Sequence, residues 1–171
     1  FADELEANLE AGIYAFKGAE KTRVTWEGIA VWPYLGHTFK SLKSLGSIMT
    51  GSAYPGLWDL HYDAHDDSLH SMAEAYTRIY INTCLENKVN VLLNIVNGGK
   101  CDGIVYHLNR SCKLMSFLNV ETAEIIKEKT GLPYVSFDGD QTDPRNFAPA
   151  QFDTRVQALA EMMEANLAAA E

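Results

Sequence analysis

Cys112, in the run Val105-Tyr106-His107-Leu108-Asn109-Arg110-Ser111-Cys112-Lys113, is the residue best placed to do chemistry. At the start of a helix a thiol meets unpaired backbone N–H groups and the positive end of the helix dipole. Both favour the thiolate, the form that binds metal or attacks an electrophile. Arg110 and Lys113 act in the same direction. The same spacing also suits a small cysteine that merely packs a helix start, because free cysteines are commonly buried. On spacing alone both readings stand. The other cysteines are Cys84 and Cys101, and the sequence contains no CxxC pair. An odd number at wide spacings argues against a disulfide framework or a complete zinc site. Cys101 opens the strand that leads to Cys112, and at about 3.3 Å per residue the two lie ~20 Å apart, so they cannot share a metal. Cys84, at the start of an antiparallel crossover helix, is read as a small core residue, although its position alone does not exclude it from the edge that carries Cys112.

Three further groups invite a functional reading. Asp138, Asp140, Asp143 and Arg145 follow a strand and share the crevice of Cys112, either shaping a pocket or forming an Asp-rich turn stapled by Arg145 and Arg155. The stretch His61-Tyr62-Asp63-Ala64-His65-Asp66-Asp67-Ser68-Leu69-His70 has the residue types of a zinc or iron site. Yet Pro55 and Gly56 precede it and no apolar period runs through it, which favours a solvated, partner-facing loop. Trp32, Tyr34, Tyr54 and Trp58 fall at strand ends, where they either line an acyl pocket or pack the core edge; Trp32 is the preferred contact. Phosphate-loop signatures and a nucleophile elbow are absent from the sequence.

These side chains need a frame. Leu5, Leu9 and Ile13 fall at four-residue spacing and predict a lead-in helix within residues 2–14. The β-branched and aromatic run from Arg23 to Trp32 predicts a strand stopped by Pro33. A helix over Leu35 to Leu45 and a strand over Ser47 to Ala53 follow, then a short helix from Ser71 to Tyr80. Thr83-Cys84-Leu85-Glu86 has the form of a capping box for a helix that buries Val89, Leu92, Leu93 and Val96 and ends at Gly98-Gly99. The remaining elements are a strand from Asp102 to His107, a helix from Ser111 to Lys129, a strand from Leu132 to Phe137 and a helix from Pro149 to Ala168. Strands alternating with helices predict a small doubly wound α/β domain with a parallel sheet of about four strands and helices on both faces. The ligand site of such a sheet lies at the carboxyl ends of its strands. Residues 1–20 are assigned to the lead-in and 21–171 to the domain.

The composition sets outer limits. With 47% hydrophobic and 22% charged residues among 171, the chain suits one soluble core. A formal net charge of −9 gives no basic surface for nucleic acid or an anionic membrane, and no apolar run is long enough to span a bilayer. The chain reads as cytoplasmic and, opening on Phe1, as an excised piece.

The string from Cys101 to Lys113, followed by Asp138-Gly139-Asp140-Gln141-Thr142-Asp143-Pro144-Arg145-Asn146-Phe147 and then Gln151-Phe152-Asp153-Thr154-Arg155, resembles the 2-hydroxyacyl-CoA dehydratase and benzoyl-CoA reductase subunits, in their 2-hydroxyglutaryl-CoA dehydratase D-component form. Weaker similarity at Arg23 through Trp32-Pro33 and at Tyr76 through Val89 extends it over nearly the whole chain. The resemblance implies a subunit of two similar α/β domains whose thiolates jointly hold a 4Fe-4S cluster, with Cys112 as the C-terminal domain's ligand. Trp32, Asn109, Arg110, Ser111, Asp138, Asp140 and Arg145 are the expected pocket-lining residues. The missing N-terminal domain, a related second subunit forming a heterodimer, an ATP-hydrolysing iron-sulfur activator protein and an acyl-CoA substrate are the implied partners. The implied reaction is a radical one. An electron from the activator reaches the thioester carbonyl of a 2-hydroxyacyl-CoA, water is lost to give a 2-enoyl-CoA, and the electron returns. Without its other domain this piece is expected to hold no stable cluster and to be inactive. The alternatives are a benzoyl-CoA reductase subunit and a non-catalytic interaction domain with a structural Cys112.

Overall fold

The computed structural model describes residues 1–14, 16–63 and 67–170. Its centre is a sheet of four parallel strands, β1 (Thr22–Glu27), β2 (Ser47–Ser52), β3 (Gly103–Asn109) and β4 (Tyr134–Gly139), in the order β2-β1-β3-β4. The helices are α1 (Ala2–Glu10), α2 (Leu35–Ser44), α3 (Ser68–Thr77), α4 (Leu85–Gly98), α5 (Lys113–Ser116), α6 (Asn119–Thr130) and α7 (Pro149–Ala170). The doubly wound α/β reading holds.

Strand alternation divides the core. Val24, Trp26, Val105 and Phe137 pack with Leu42 of α2 and with Phe152, Val156 and Leu159 of α7. Ile104 and Tyr106 on the opposite face meet Val89, Leu92 and Val96 of α4 and Ala123 and Ile126 of α6. With helices on both faces, side chains of either parity are buried, as parallel sheets require. A smaller cluster of Ile29, Ala53, Leu57, Tyr80 and Met115 lies among the connections that follow the strands, and Cys112 packs against it.

Several boundaries differ from those the sequence suggests. β1 stops at Glu27, not at Trp32, because Gly28 takes φ +101 and lies so close to β3 that a Cβ there would sit 2.7 Å from the His107 carbonyl oxygen. Only glycine accommodates both conditions. Ile29 and Val31, which extended the apolar pattern, are buried in the connection instead. The helix predicted over Ser111 to Lys129 is two helices. In an unbroken helix the Leu114 carbonyl would accept from residue 118; here it accepts from Lys88 Nζ at 3.3 Å, and the chain turns at Leu118 before α6. Nor does the capping box at Thr83 form. Thr83 Oγ1 donates to the Tyr80 carbonyl oxygen, and Cys84 occupies the N-cap position of α4 without a side-chain bond. α3 begins earlier than predicted, capped by Asp67, which accepts from the Leu69 N–H. β3 and β4 each run to a residue beyond the predicted end. α1 buries none of its residues.

Candidate active site at the carboxyl edge of the sheet

The turn after β3 carries Cys112, and Asn109 organises that turn. Asn109 is 2% exposed. Its Oδ1 accepts from Ser111 N–H (3.4 Å), Ser111 Oγ (3.2 Å) and Gln141 N–H (3.3 Å). Its Nδ2 donates to Gln141 Oε1 at 3.0 Å, and its carbonyl accepts from Cys112 N–H and Ser116 Oγ. The Gln141 carbonyl in turn accepts from Trp32 N–H at 3.3 Å. One amide pair thus ties together the connections after β1, β3 and β4. Gln141 carries no signal in the sequence, where nothing distinguishes it from its polar neighbours.

Cys112 is partly buried, at the N-cap of α5 with φ −124 and ψ 92. α5 has only four residues, so the long-helix dipole expected from the sequence is reduced to a single turn. Cys101 is buried and hydrogen-bonded to Thr25 Oγ1 (3.0 Å) and Thr50 Oγ1 (3.3 Å). Cys84 is exposed, which corrects its reading as a core residue.

The loop after β4 is internally braced. Asp140 Oδ1 accepts from Asp143 N–H (3.0 Å), Thr142 N–H (2.9 Å) and Thr142 Oγ1 (3.3 Å). The backbone donors, Asp143 first and then Thr142, hold its carboxyl down at about 2. Asp143 receives Arg145 through Nε and Nη2, the latter at 2.7 Å. Arg155 takes no part in this staple, contrary to expectation; its Nη1 donates to the Ser136 carbonyl at 2.5 Å. Arg110 Nη2 faces Asp138 Oδ1 at 3.6 Å, with both side chains more than half exposed.

Two cavities flank this edge. The first, about 250 Å³, is almost wholly apolar and is lined by Trp26, Ala30, Trp32, Phe39, Met49 and Tyr54 among others. Trp32 and Tyr54 meet edge to face with centroids 6.2 Å apart, and Trp58 extends the row at 6.3 Å from Tyr54. Tyr34 is turned elsewhere, with its ring 4.6 Å from Phe147. The second cavity, about 260 Å³, gathers Asn109, Arg110, Lys113, Phe117 and Asp138. The fold therefore groups Asn109, Arg110 and Asp138 beside the Cys112 turn, puts Trp32 in the apolar cavity, and leaves Arg145 87% exposed at its side chain.

Beneath the edge lies a polar group that no sequence motif announced. Glu27, Lys88 and Tyr80 are 0%, 1% and 5% exposed. Tyr80 OH donates to Glu27 Oε1 at 2.9 Å, and Lys88 Nζ stands 5.3 Å from the centre of the Tyr80 ring. Glu27 Oε2 has no hydrogen-bond partner among the described residues. Burial pushes the Glu27 carboxyl up to about 7, against the Tyr80 hydroxyl, Lys88 and the Gly28 N–H. Burial likewise lowers Lys88, opposed by the charges of Glu27 and Cys112. In sequence Glu27 falls in the middle of the run from Arg23 to Trp32 that predicts a strand, with nothing to mark it.

The metal reading of the His61–His70 loop gains no support from geometry. His61 Nε2 pairs with Asp59 Oδ1 at 3.1 Å, both exposed, and His65 and Asp66 lie outside the described residues. Among the described residues no three His, Cys, Asp or Glu side chains converge as a metal site, and no helix is long and apolar enough to cross a membrane.

Comparison with known proteins supplies the family. Residues 1–163 match the model for 2-hydroxyglutaryl-CoA dehydratase, D-component. The chain belongs to this family. It is 84% identical over its full length to the lactoyl-CoA dehydratase subunit alpha of Anaerotignum propionicum, spanning 40% of that relative. Over 95% of the chain it is 48% identical to the (R)-2-hydroxyisocaproyl-CoA dehydratase alpha subunit of Clostridioides difficile, spanning 39% of it. A benzoyl-CoA reductase polypeptide of Thauera aromatica is more distant, 27% identical over 150 residues, which are 85% of this chain and 34% of that relative. The chain thus spans about two fifths of the length of these two dehydratase relatives.

A 4Fe-4S cluster needs several thiolates. Of the three cysteines, Cys101 is committed to internal hydrogen bonds, Cys84 is the exposed N-cap of α4, and no three ligating side chains converge among the described residues. The donor set at the carboxyl edge therefore fits one corner of such a cluster, at Cys112.

Proposed function

We propose that this chain is the C-terminal domain, residues 21–171 with a lead-in at 1–20, of a 2-hydroxyacyl-CoA dehydratase subunit, and that Cys112 is its ligand to a 4Fe-4S cluster. The observation that carries the reading is a partly exposed sulfur at the carboxyl edge of a family-member sheet, on a turn locked by the buried Asn109. The other thiolates come from an N-terminal domain, and a related second subunit and an ATP-hydrolysing activator complete a cytoplasmic enzyme. When bound, the cluster supplies single-electron transfer and Lewis acidity toward the thioester.

The chain's own residues position. Asn109, with Ser111 and Gln141, fixes the approach of the Cys112 sulfur. Arg110 and Asp138 shape the polar cavity beside it, with Arg110 offering a cation to the acyl-CoA. Trp32 and Tyr54 wall an apolar cavity of about 250 Å³, suited to an acyl chain or the pantetheine arm and to the exclusion of water. Asp140 and Arg145 stiffen the loop that carries Gln141. The similarity to a lactoyl-CoA dehydratase polypeptide favours a short 2-hydroxyacyl group. The greater distance of the benzoyl-CoA reductase relative disfavours ring reduction. A purely structural Cys112 is disfavoured by its partial exposure, since Cys101 shows what a packed thiol looks like in this fold.

The test is anaerobic reconstitution of the complete complex with wild-type and Cys112→Ser subunits. Loss of cluster iron and of lactoyl-CoA dehydration in the variant is expected. Wild-type iron content in Cys112→Ser would refute the ligand assignment, and turnover with benzoyl-CoA alone would refute the dehydratase.

A further inference from the structure

Lys88 is an anomaly of this fold. A lysine 1% exposed is uncommon, because removing an ammonium from water is costly unless its charge is answered nearby. Its side chain leaves α4 and ends under the turn that carries Cys112, where Nζ donates to the Leu114 carbonyl at 3.3 Å. Leu114 belongs to the single-turn helix that Cys112 caps. On its other side the ammonium lies against the Tyr80 ring, whose hydroxyl holds Glu27. Tyr80 and Met115 also form part of the apolar cluster against which Cys112 packs. A buried positive charge is thus anchored to the backbone two residues beyond the sulfur, against the ring whose hydroxyl holds the Glu27 carboxyl. Arg110 and Lys113 also neighbour the sulfur in sequence, but the Arg110 side chain is 59% exposed and in reach of Asp138. Solvent screens exposed charges, whereas a charge at the depth of Lys88 keeps its field.

We propose that Lys88 is a positioning residue for Cys112, holding its turn from below and presenting a fixed positive charge that raises the reduction potential of the cluster bound to it. This rests on the ligand reading of Cys112 given above. Added positive charge favours the reduced, more negative cluster, so removing it lowers the potential.

The experiment uses the complete complex, reconstituted anaerobically, with Lys88→Met, Lys88→Arg and Glu27→Gln subunits. Cluster iron and midpoint potential are measured in each. In the cluster-free complete subunit, the rate of Cys112 alkylation by iodoacetamide is read by peptide mass spectrometry, with glutathione alkylated in the same tube as the reference. Lys88→Met is expected to keep its iron, to shift the reduction equilibrium at least tenfold toward the oxidised form (about 59 mV for one electron), and to quicken alkylation of Cys112, because its turn loses an anchor. Lys88→Arg, which keeps the charge, should lie nearer to wild type in both. Glu27→Gln, which removes the opposing carboxylate and leaves Lys88 in place, should raise the potential above neutral pH and leave the alkylation rate as in wild type. It provides the decisive arm if Lys88→Met does not fold. An unchanged potential with full iron, or an arginine variant as perturbed as the methionine one, overturns the proposal. The Cys112→Ser iron assay tests the ligand reading separately, since the alkylation rates test Lys88 with no cluster present.

Discussion

Replacing Glu27 by Gln keeps the side chain's shape and its acceptor for Tyr80 while removing an ionisable group from a fully buried place. Burial moves the Glu27 carboxyl from an ordinary 4.5 to about 7. Between these values the unfolded chain loses its proton while the folded one retains it. The unfolded state then binds fewer protons, so stability falls as pH rises. The penalty is absent below about pH 4.5, grows across the interval, and is complete above about pH 7. At 1.36 kcal/mol per unit its full size is about 3 kcal/mol. Glu27→Gln should therefore match the wild type near pH 4.5 and exceed it by up to about 3 kcal/mol at about pH 8. Urea unfolding of both proteins at closely spaced pH values reads this difference directly. A constant offset between the curves, or a difference that moves in favour of wild type as pH rises, would show that Glu27 ionises in the folded protein at or below its ordinary pKa and would refute the reasoning.

Asn109→Ala removes a buried hub and leaves Gln141 and Ser111 without their partner, which at 0.5–1.5 kcal/mol per hydrogen bond lost should cost about 2–3 kcal/mol in denaturant unfolding. It should also quicken alkylation of Cys112 in the same preparation, because the turn loses its anchor. Gly28→Ala places a Cβ at φ +101 and 2.7 Å from the His107 carbonyl oxygen, so β1 and β3 must separate. Backbone strain alone is about 1–3 kcal/mol, and the accompanying clash should bring the midpoint of thermal unfolding well below that of wild type. An alanine variant as stable as the parent would mean that the connection after β1 can relax.

The sequence by itself determined the class of fold and the edge on which to look. The alternation of β-branched runs with amphipathic helices left a parallel α/β sheet as the economical arrangement, and in such a sheet the connections after the strands face the ligand. That logic placed Cys112, Asn109 and Asp138 on one side of the molecule, and the order of motifs around Cys101 to Lys113 was enough to suggest the family. Periodicity reports local pattern, and the remaining features are contacts between residues far apart in the chain. Gly28 ends β1 because of its distance to His107, and Ile29 and Val31 look like more strand until that approach is known. The Leu114 carbonyl is taken by Lys88, on a different helix, a contact no local pattern announces. Gln141 matters because it bridges connections from separate strands. Neither Glu27 nor Lys88 belongs to a motif of the linear sequence, since a charged residue in a strand or on a helix is ordinarily solvated. Only the packing of α4 against the sheet takes both out of water and sets them beneath the one sulfur that the sequence had already singled out.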